Sequence, residues 1–162
     1  MGRAYGGELL VKRELAGGVY GWIAYTLSRS ERANPYHAGG WKPFAVDQTH
    51  ILTTVAGWKI RDGWEVGTRF RYTTGNPQTP VAGSVYDSDR DAFMPMPGDP
   101  GSERVPSFNQ LDLRVDRRWK FETWSLTAYL DVQNVYVRQN PEGVRYDFDF
   151  DNHVYITGLP LI

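Results

Sequence analysis

Strict alternation of apolar and polar residues, repeated six times along the chain, is the feature that most narrows the folds open to this sequence. From Phe108 onward, Leu111, Leu113, Val115, Trp119 and Phe121 occupy one parity, while Gln110, Asp112, Arg114, Asp116, Arg118 and Lys120 occupy the other. Successive side chains point to opposite sides only in a strand, so a period of two sorts these residues onto two faces of a sheet. Arg117 interrupts the apolar parity close enough to the strand end for its guanidinium to snorkel.

The same pattern returns elsewhere. Trp124, Leu126, Ala128, Leu130 and Val132 alternate with Ser125, Thr127, Tyr129, Asp131 and Gln133. Trp64, Val66, Thr68, Phe70 and Tyr72 alternate with Glu65, Gly67, Arg69, Arg71 and Thr73. Residues 50–60 place Leu52, Thr54, Ala56, Trp58 and Ile60 on one face, and residues 19–30 set Ile23, Tyr25 and Leu27 against Ala24, Thr26 and Ser28. Residues 7–15 carry the faintest signal, Leu9 and Val11 opposite Lys12 and Glu14. The stretch from Ser28 to Arg32 has helix-forming residues but no apolar stripe, so no helix is expected.

The connections alternate in length. Ala16-Gly17-Gly18, Arg61-Asp62-Gly63 and Glu122-Thr123 read as tight hairpin turns. Between them lie long segments, residues 33–48, 76–107 and everything after Gln139, rich in Pro, Gly and acids. In an antiparallel meander this places every short turn at one end and every long loop at the other. A structureless loop of such length is rare in a compact soluble domain, whereas short turns opposite long loops are the layout of an outer-membrane barrel. Trp58, Trp64, Trp119 and Trp124 all fall within a few residues of a short turn and all share the apolar parity. They are expected to form an aromatic girdle at one height. Strands of about eleven residues fit a tilted membrane crossing, which needs roughly 9–11. If residues 64–74 pair with 108–121, Arg69 and Arg71 are expected to meet Asp112 and Asp116 across the ladder.

Composition removes other classes. The 162 residues, about one domain in length, carry 18 Lys and Arg against 19 Asp and Glu, and the basic residues alternate with acids. That leaves no basic path for nucleic acid. There is no cysteine, hence no disulfide and no thiolate metal ligand. Aromatics make up 14% of the chain, too many for disorder. No run approaches the roughly 18 apolar residues of a membrane helix, and Met1-Gly2-Arg3-Ala4-Tyr5 opens no apolar leader.

The segments Gly21-Trp22-Ile23-Ala24-Tyr25-Thr26-Leu27-Ser28-Arg29-Ser30, Asp47-Gln48-Thr49-His50-Ile51-Leu52, Arg69-Phe70-Arg71-Tyr72-Thr73-Thr74-Gly75-Asn76-Pro77, Leu130-Asp131-Val132-Gln133-Asn134-Val135-Tyr136 and Gly158-Leu159-Pro160-Leu161-Ile162 occur in that order. Together they resemble the C-terminal barrel region of TonB-dependent outer-membrane receptors. The resemblance implies an all-β fold: an antiparallel transmembrane β-barrel segment of about six long strands, drawn from a 22-stranded barrel and corresponding to strands 16 to 21. It implies that residues 1–162 are a partial barrel without plug, TonB box or closing strand, and that Met1 begins a truncated reading frame or is an artificial start. The parent would sit in the outer membrane of a Gram-negative bacterium. Its partners would be outer-membrane lipid, a plug domain, the TonB complex and a scarce small solute of the siderophore, vitamin or glycan class. By parity, Arg69, Arg71, Asp112, Arg114, Asp116, Arg118 and Asp131 are expected to face the lumen. Six strands leave two open edges, so transport by this polypeptide alone is not expected.

Other chemistry is weak. Asp87-Ser88-Asp89-Arg90-Asp91 has the spaced acids of a calcium loop, but Ala92 stands where its glycine belongs and no glutamate follows at the twelfth position, so a solvated acidic loop is expected. Tyr146-Asp147-Phe148-Asp149-Phe150-Asp151 alternates throughout and predicts a strand reaching beyond the membrane. His37, His50 and His153 lack metal-ligand spacing, and His50 reads as a polar cap at a strand start. No Gly-x-Ser-x-Gly occurs and no spacing selects a catalytic triad, so neither an enzyme nor a cofactor is expected. The remaining alternatives are a soluble β-sandwich binding module and a passive porin-like barrel.

Overall fold

A computed structural model describes residues 1–33, 40–61 and 63–158. Among these there is no helix. Thirteen strands follow in chain order: β1 (Gly2–Ala16), β2 (Val19–Arg32), β3 (Lys42–Pro43), β4 (His50–Lys59), β5 (Trp64–Thr73), β6 (Pro77–Gln78), β7 (Val81–Asp87), β8 (Ala92–Pro97), β9 (Glu103–Arg104), β10 (Phe108–Lys120), β11 (Ser125–Val132), β12 (Pro141–Tyr146) and β13 (His153–Thr157). The six long strands form one antiparallel sheet in the order β1-β2-β4-β5-β10-β11, with β3 added to the end of β2.

Each of these six matches an alternating segment of the sequence. The register explains why the faces stay separate. Val66 lies opposite Val115 and Trp58, Phe70 opposite Leu111 and Thr54, and Leu130 opposite Val115. Ile23 lies opposite Thr54 and Val11. Along the middle of the sheet apolar residues therefore meet apolar or small neighbours, which cross-strand packing favours. The faintly patterned residues 7–15 belong to a longer strand than expected, because β1 pairs residue by residue with β2 from Gly2 to Arg13.

The hairpin at β4–β5 depends on a glycine. Gly63 has φ +77°, and a Cβ there would lie 2.2 Å from the Arg118 carbonyl oxygen, whereas the bare glycine lets its own carbonyl accept from the Arg118 N–H at 2.8 Å. At β10–β11, the Phe121 N–H donates to the Trp124 carbonyl at 2.9 Å and the two rings stack at 4.1 Å.

Two expectations about the connections need correction. Residues 76–107 are not structureless: β7 and β8 form a hairpin, and β6 pairs with β9 at its base. The alternating run from Tyr146 to Asp151 is not a strand. β12 ends at Tyr146 and pairs with β13, and residues 147–152 turn between them. Asp147 accepts from the Asn152 N–H at 3.2 Å and Phe150 sits at φ 64°. Aspartate side chains that bond nearby backbone stabilise turns, and here that local chemistry overrides the period.

Apart from Pro77, no apolar side chain among the described residues is buried. Leu130 is 66% exposed and Leu9 60%. Among the described residues the long sheet is a single layer, its strands packed against their ladder partners. A soluble sandwich would cover these residues with a second sheet about 10 Å away, and none is present among the described residues.

Candidate functional site

All seven charged residues singled out by parity lie on one face of the sheet. Arg69 and Arg71 of β5, Asp112, Arg114, Asp116 and Arg118 of β10, and Asp131 of β11 project together with Tyr20 and Trp22 of β2. This face is concave. An open cavity of about 730 Å³ spans β2, β4, β5, β10 and β11 and is lined by six of the seven, all but Arg71.

The ionic contacts follow the register. Asp112 lies directly opposite Arg69 and accepts from its Nη2 at 2.7 Å, with Arg71 Nη2 at 3.8 Å. The expected meeting of Asp116 with these arginines does not occur. Asp116 faces Glu65, four residues along β5 from Arg69, and instead accepts from Arg114 Nη2 at 2.8 Å. The strands carry their acids and bases at offsets that only the observed pairing could reveal. Arg114 also lies 3.8 Å from Asp131 and stacks over the Tyr129 ring at 4.1 Å. Tyr20 lies flat across Gly57, where a Cβ would strike its ring, and its hydroxyl reaches Glu65. Glycine there lets an aromatic ring cover the backbone of the next strand.

Asp112 is the most enclosed of the seven, at 5% exposure. Besides Arg69 it accepts from Gln110 Nε2 at 2.7 Å and from the backbone N–H of Asn134 at 3.0 Å. Asn134 adopts φ 54° just past β11, and its side chain closes a loop with the backbone of Arg138. Asp112 therefore ties β5, β10 and the exit from β11.

The opposite face is apolar and convex. Trp58, Trp64, Trp119 and Trp124 all lie on it at the short-turn end, each between 38% and 57% exposed. A second aromatic set, scattered in the sequence, comes together in the fold: Tyr5, Tyr25 and Tyr72 lie on the same face toward the long-loop end, and the Tyr25 hydroxyl is 2.7 Å from His50 Nδ1. Their distance from the short turns was the available signal.

At the long-loop end, side chains knit the connections into a platform. Asp47 is 2% exposed and is held from three sides. The Ser30 N–H donates to it, Thr49 Oγ1 donates at 3.3 Å, and Arg104 Nη2 donates at 2.5 Å. Arg104 also donates to the carbonyls of Asp47 and Gly75. Burial pushes the Asp47 carboxyl up, but the Arg104 guanidinium and the Ser30 N–H outweigh this and hold it below the usual aspartate value. Lys42 binds Asp99 at 2.8 Å, and the Val81 N–H donates to the Tyr146 hydroxyl at 3.2 Å. Neither Asp47 nor Arg104 shows in the alternation, because both lie outside the long strands.

Asp87 through Asp91 form the β7–β8 turn, where Asp87 accepts from the Asp89 N–H and faces Arg90. No group of three or more metal-ligating side chains occurs among the described residues. His50 begins β4 and His153 begins β13, whereas His37 and residues 159–162 lie outside the described residues. A scan against protein-family models and a search of curated proteins return no match for this chain.

Proposed function

We propose that this chain is a wall segment of the C-terminal barrel of a TonB-dependent receptor in the outer membrane of a Gram-negative bacterium. In that reading the apolar convex face meets lipid and the charged concave face lines the lumen beside a plug domain. The long-loop platform then lies outside the cell, where it would meet a scarce solute, and import is energised through the TonB complex.

The observation that carries the reading is a single sheet layer, apolar on its convex side and charged on its concave side, with no second layer over the apolar residues among the described residues. In water such a face would be a large association hazard; in a bilayer it is the ordinary surface of a strand wall. The charge distribution supports the same placement. On the apolar face of β1, Arg3 and Arg13 flank Tyr5, Gly7, Leu9 and Val11. Ten steps of about 3.3 Å give roughly 33 Å along the strand, which a tilt near 40° reduces to about 25 Å, the height of an outer-membrane apolar band.

Within this sheet β1 and β11 each have one unpaired edge. Hydrocarbon tolerates no such edge, and the smallest membrane barrels close with eight strands. The segment therefore works as part of a larger barrel. Residues 1–162 reconstituted alone into liposomes should produce neither discrete conductance steps nor solute uptake; either result would overturn the proposal.

A further inference from the structure

Among the described residues, Lys, Arg, Asp and Glu occur on the apolar face only at its two margins. Arg13 and Arg117 stand near the short turns, and Arg3, Arg29 and Glu31 stand near the long loops. The two margins are built differently. Arg13 folds back to donate to the Ala16 carbonyl at 3.2 Å, as a snorkelling side chain does.

At the other margin two arginines are locked side by side. Arg3 of β1 lies opposite Glu31 of β2, and Arg29 is two residues away on the same face. Glu31, only 6% exposed, accepts from Arg3 Nη2 at 2.6 Å through one oxygen and from Arg29 Nε at 3.1 Å through the other. The Arg3 guanidinium also lies 4.3 Å from the Trp41 ring and 6.0 Å from Tyr5. One carboxylate against two guanidiniums leaves a net positive charge, and the arginine side chains stay 46% and 38% exposed. A snorkelling arginine needs no enclosed carboxylate to orient it. Glu31 takes both Nε and Nη2 of Arg3, and the guanidinium surface that both arginines still expose carries the charged N–H donors that phosphate oxygens accept.

We infer that Arg3 and Arg29, oriented by Glu31, grip the phosphate of a lipid headgroup in the leaflet at the long-loop end. The inference rests on the membrane reading above. Its position supports a lipid source: the pair borders the apolar face directly, beside amphipathic Trp41 and Tyr5, at the level where headgroups lie.

The test uses the full chain in micelles of an uncharged detergent. It is titrated with a disaccharide lipid bearing two phosphates, with that lipid after enzymatic dephosphorylation, and with inorganic phosphate, each read by calorimetry. The phosphorylated lipid should bind about tenfold more tightly than the dephosphorylated one. The Arg3→Gln, Arg29→Gln double variant should abolish that preference, the matching lysine pair should retain part of it, and Arg13→Gln should leave it intact. Equal affinity of the unaltered chain for both lipids overturns the site, with no variant involved. A preference that survives the double glutamine variant does so too. Inorganic phosphate binding as tightly as the lipid overturns the lipid assignment. A chain that stays out of micelles as a soluble monomer overturns the membrane reading, and the site with it.

Discussion

The six-stranded wall and the platform of long connections are held together by different means. The wall relies on backbone ladders and on a repeated choice of apolar or polar side chain, so each residue contributes little alone and the register is fixed many times over. The platform relies on a few enclosed polar groups, with Asp47 clasped by Arg104, Ser30 and Thr49 as its centre. A periodic structure tolerates many single changes within a face but not a change of face. A clasped structure fails at one residue.

The largest effect should come from violating a face. Leu113→Arg or Val115→Arg puts a cation in the middle of the apolar band and should cost about 2–4 kcal/mol of stability in a bilayer. Thr127→Arg, on the charged face and lining the cavity, should change little. Denaturant titrations in lipid vesicles measure both, and equal tolerance would erase the distinction between faces.

On the platform, Asp47→Ala should cost about 1–3 kcal/mol by leaving Arg104 and the Ser30 N–H without their acceptor. Hydrogen exchange at Ser30 should report it locally, with the wall amides unaffected. The same clasp should depend on pH. Because the folded carboxyl titrates below its ordinary value near 3.9, its contribution is fully present above that pH and is lost as pH falls through the lowered folded value. Exchange at Ser30 should be flat from pH 7 to 5 after correction for intrinsic rates, then rise below about pH 4. Smallest of all should be Lys42→Ala: its partner Asp99 is exposed, and such pairs contribute about 0–1 kcal/mol.

The same contrast governs what the sequence revealed. All six long strands and the three short turns could be read from it, since alternation and the few residues that separate two alternating runs are local signals. The placement of Arg69, Asp112 and Arg114 on one face followed from parity. Their partners did not. Asp116 turned to Arg114 instead of the β5 arginines because pairing offset depends on the neighbouring strand, which no single segment encodes. The platform was illegible for a related reason. Asp47 and Arg104 are far apart in sequence and lie in no periodic segment, so only the folded chain brings them together. The run from Tyr146 to Asp151 had the right period, but its aspartates bond the backbone and make a turn.

The central claim is that acyl chains contact the apolar face and water the charged one. The chain has no cysteine, so single cysteines at 110 to 115 of β10 can carry a fluorophore without background. In lipid nanodiscs, brominated acyl chains should quench labels at 111, 113 and 115, and aqueous iodide should quench those at 110, 112 and 114. Labels at 111, 113 and 115 that iodide reaches, or that neither quencher reaches, would contradict the account.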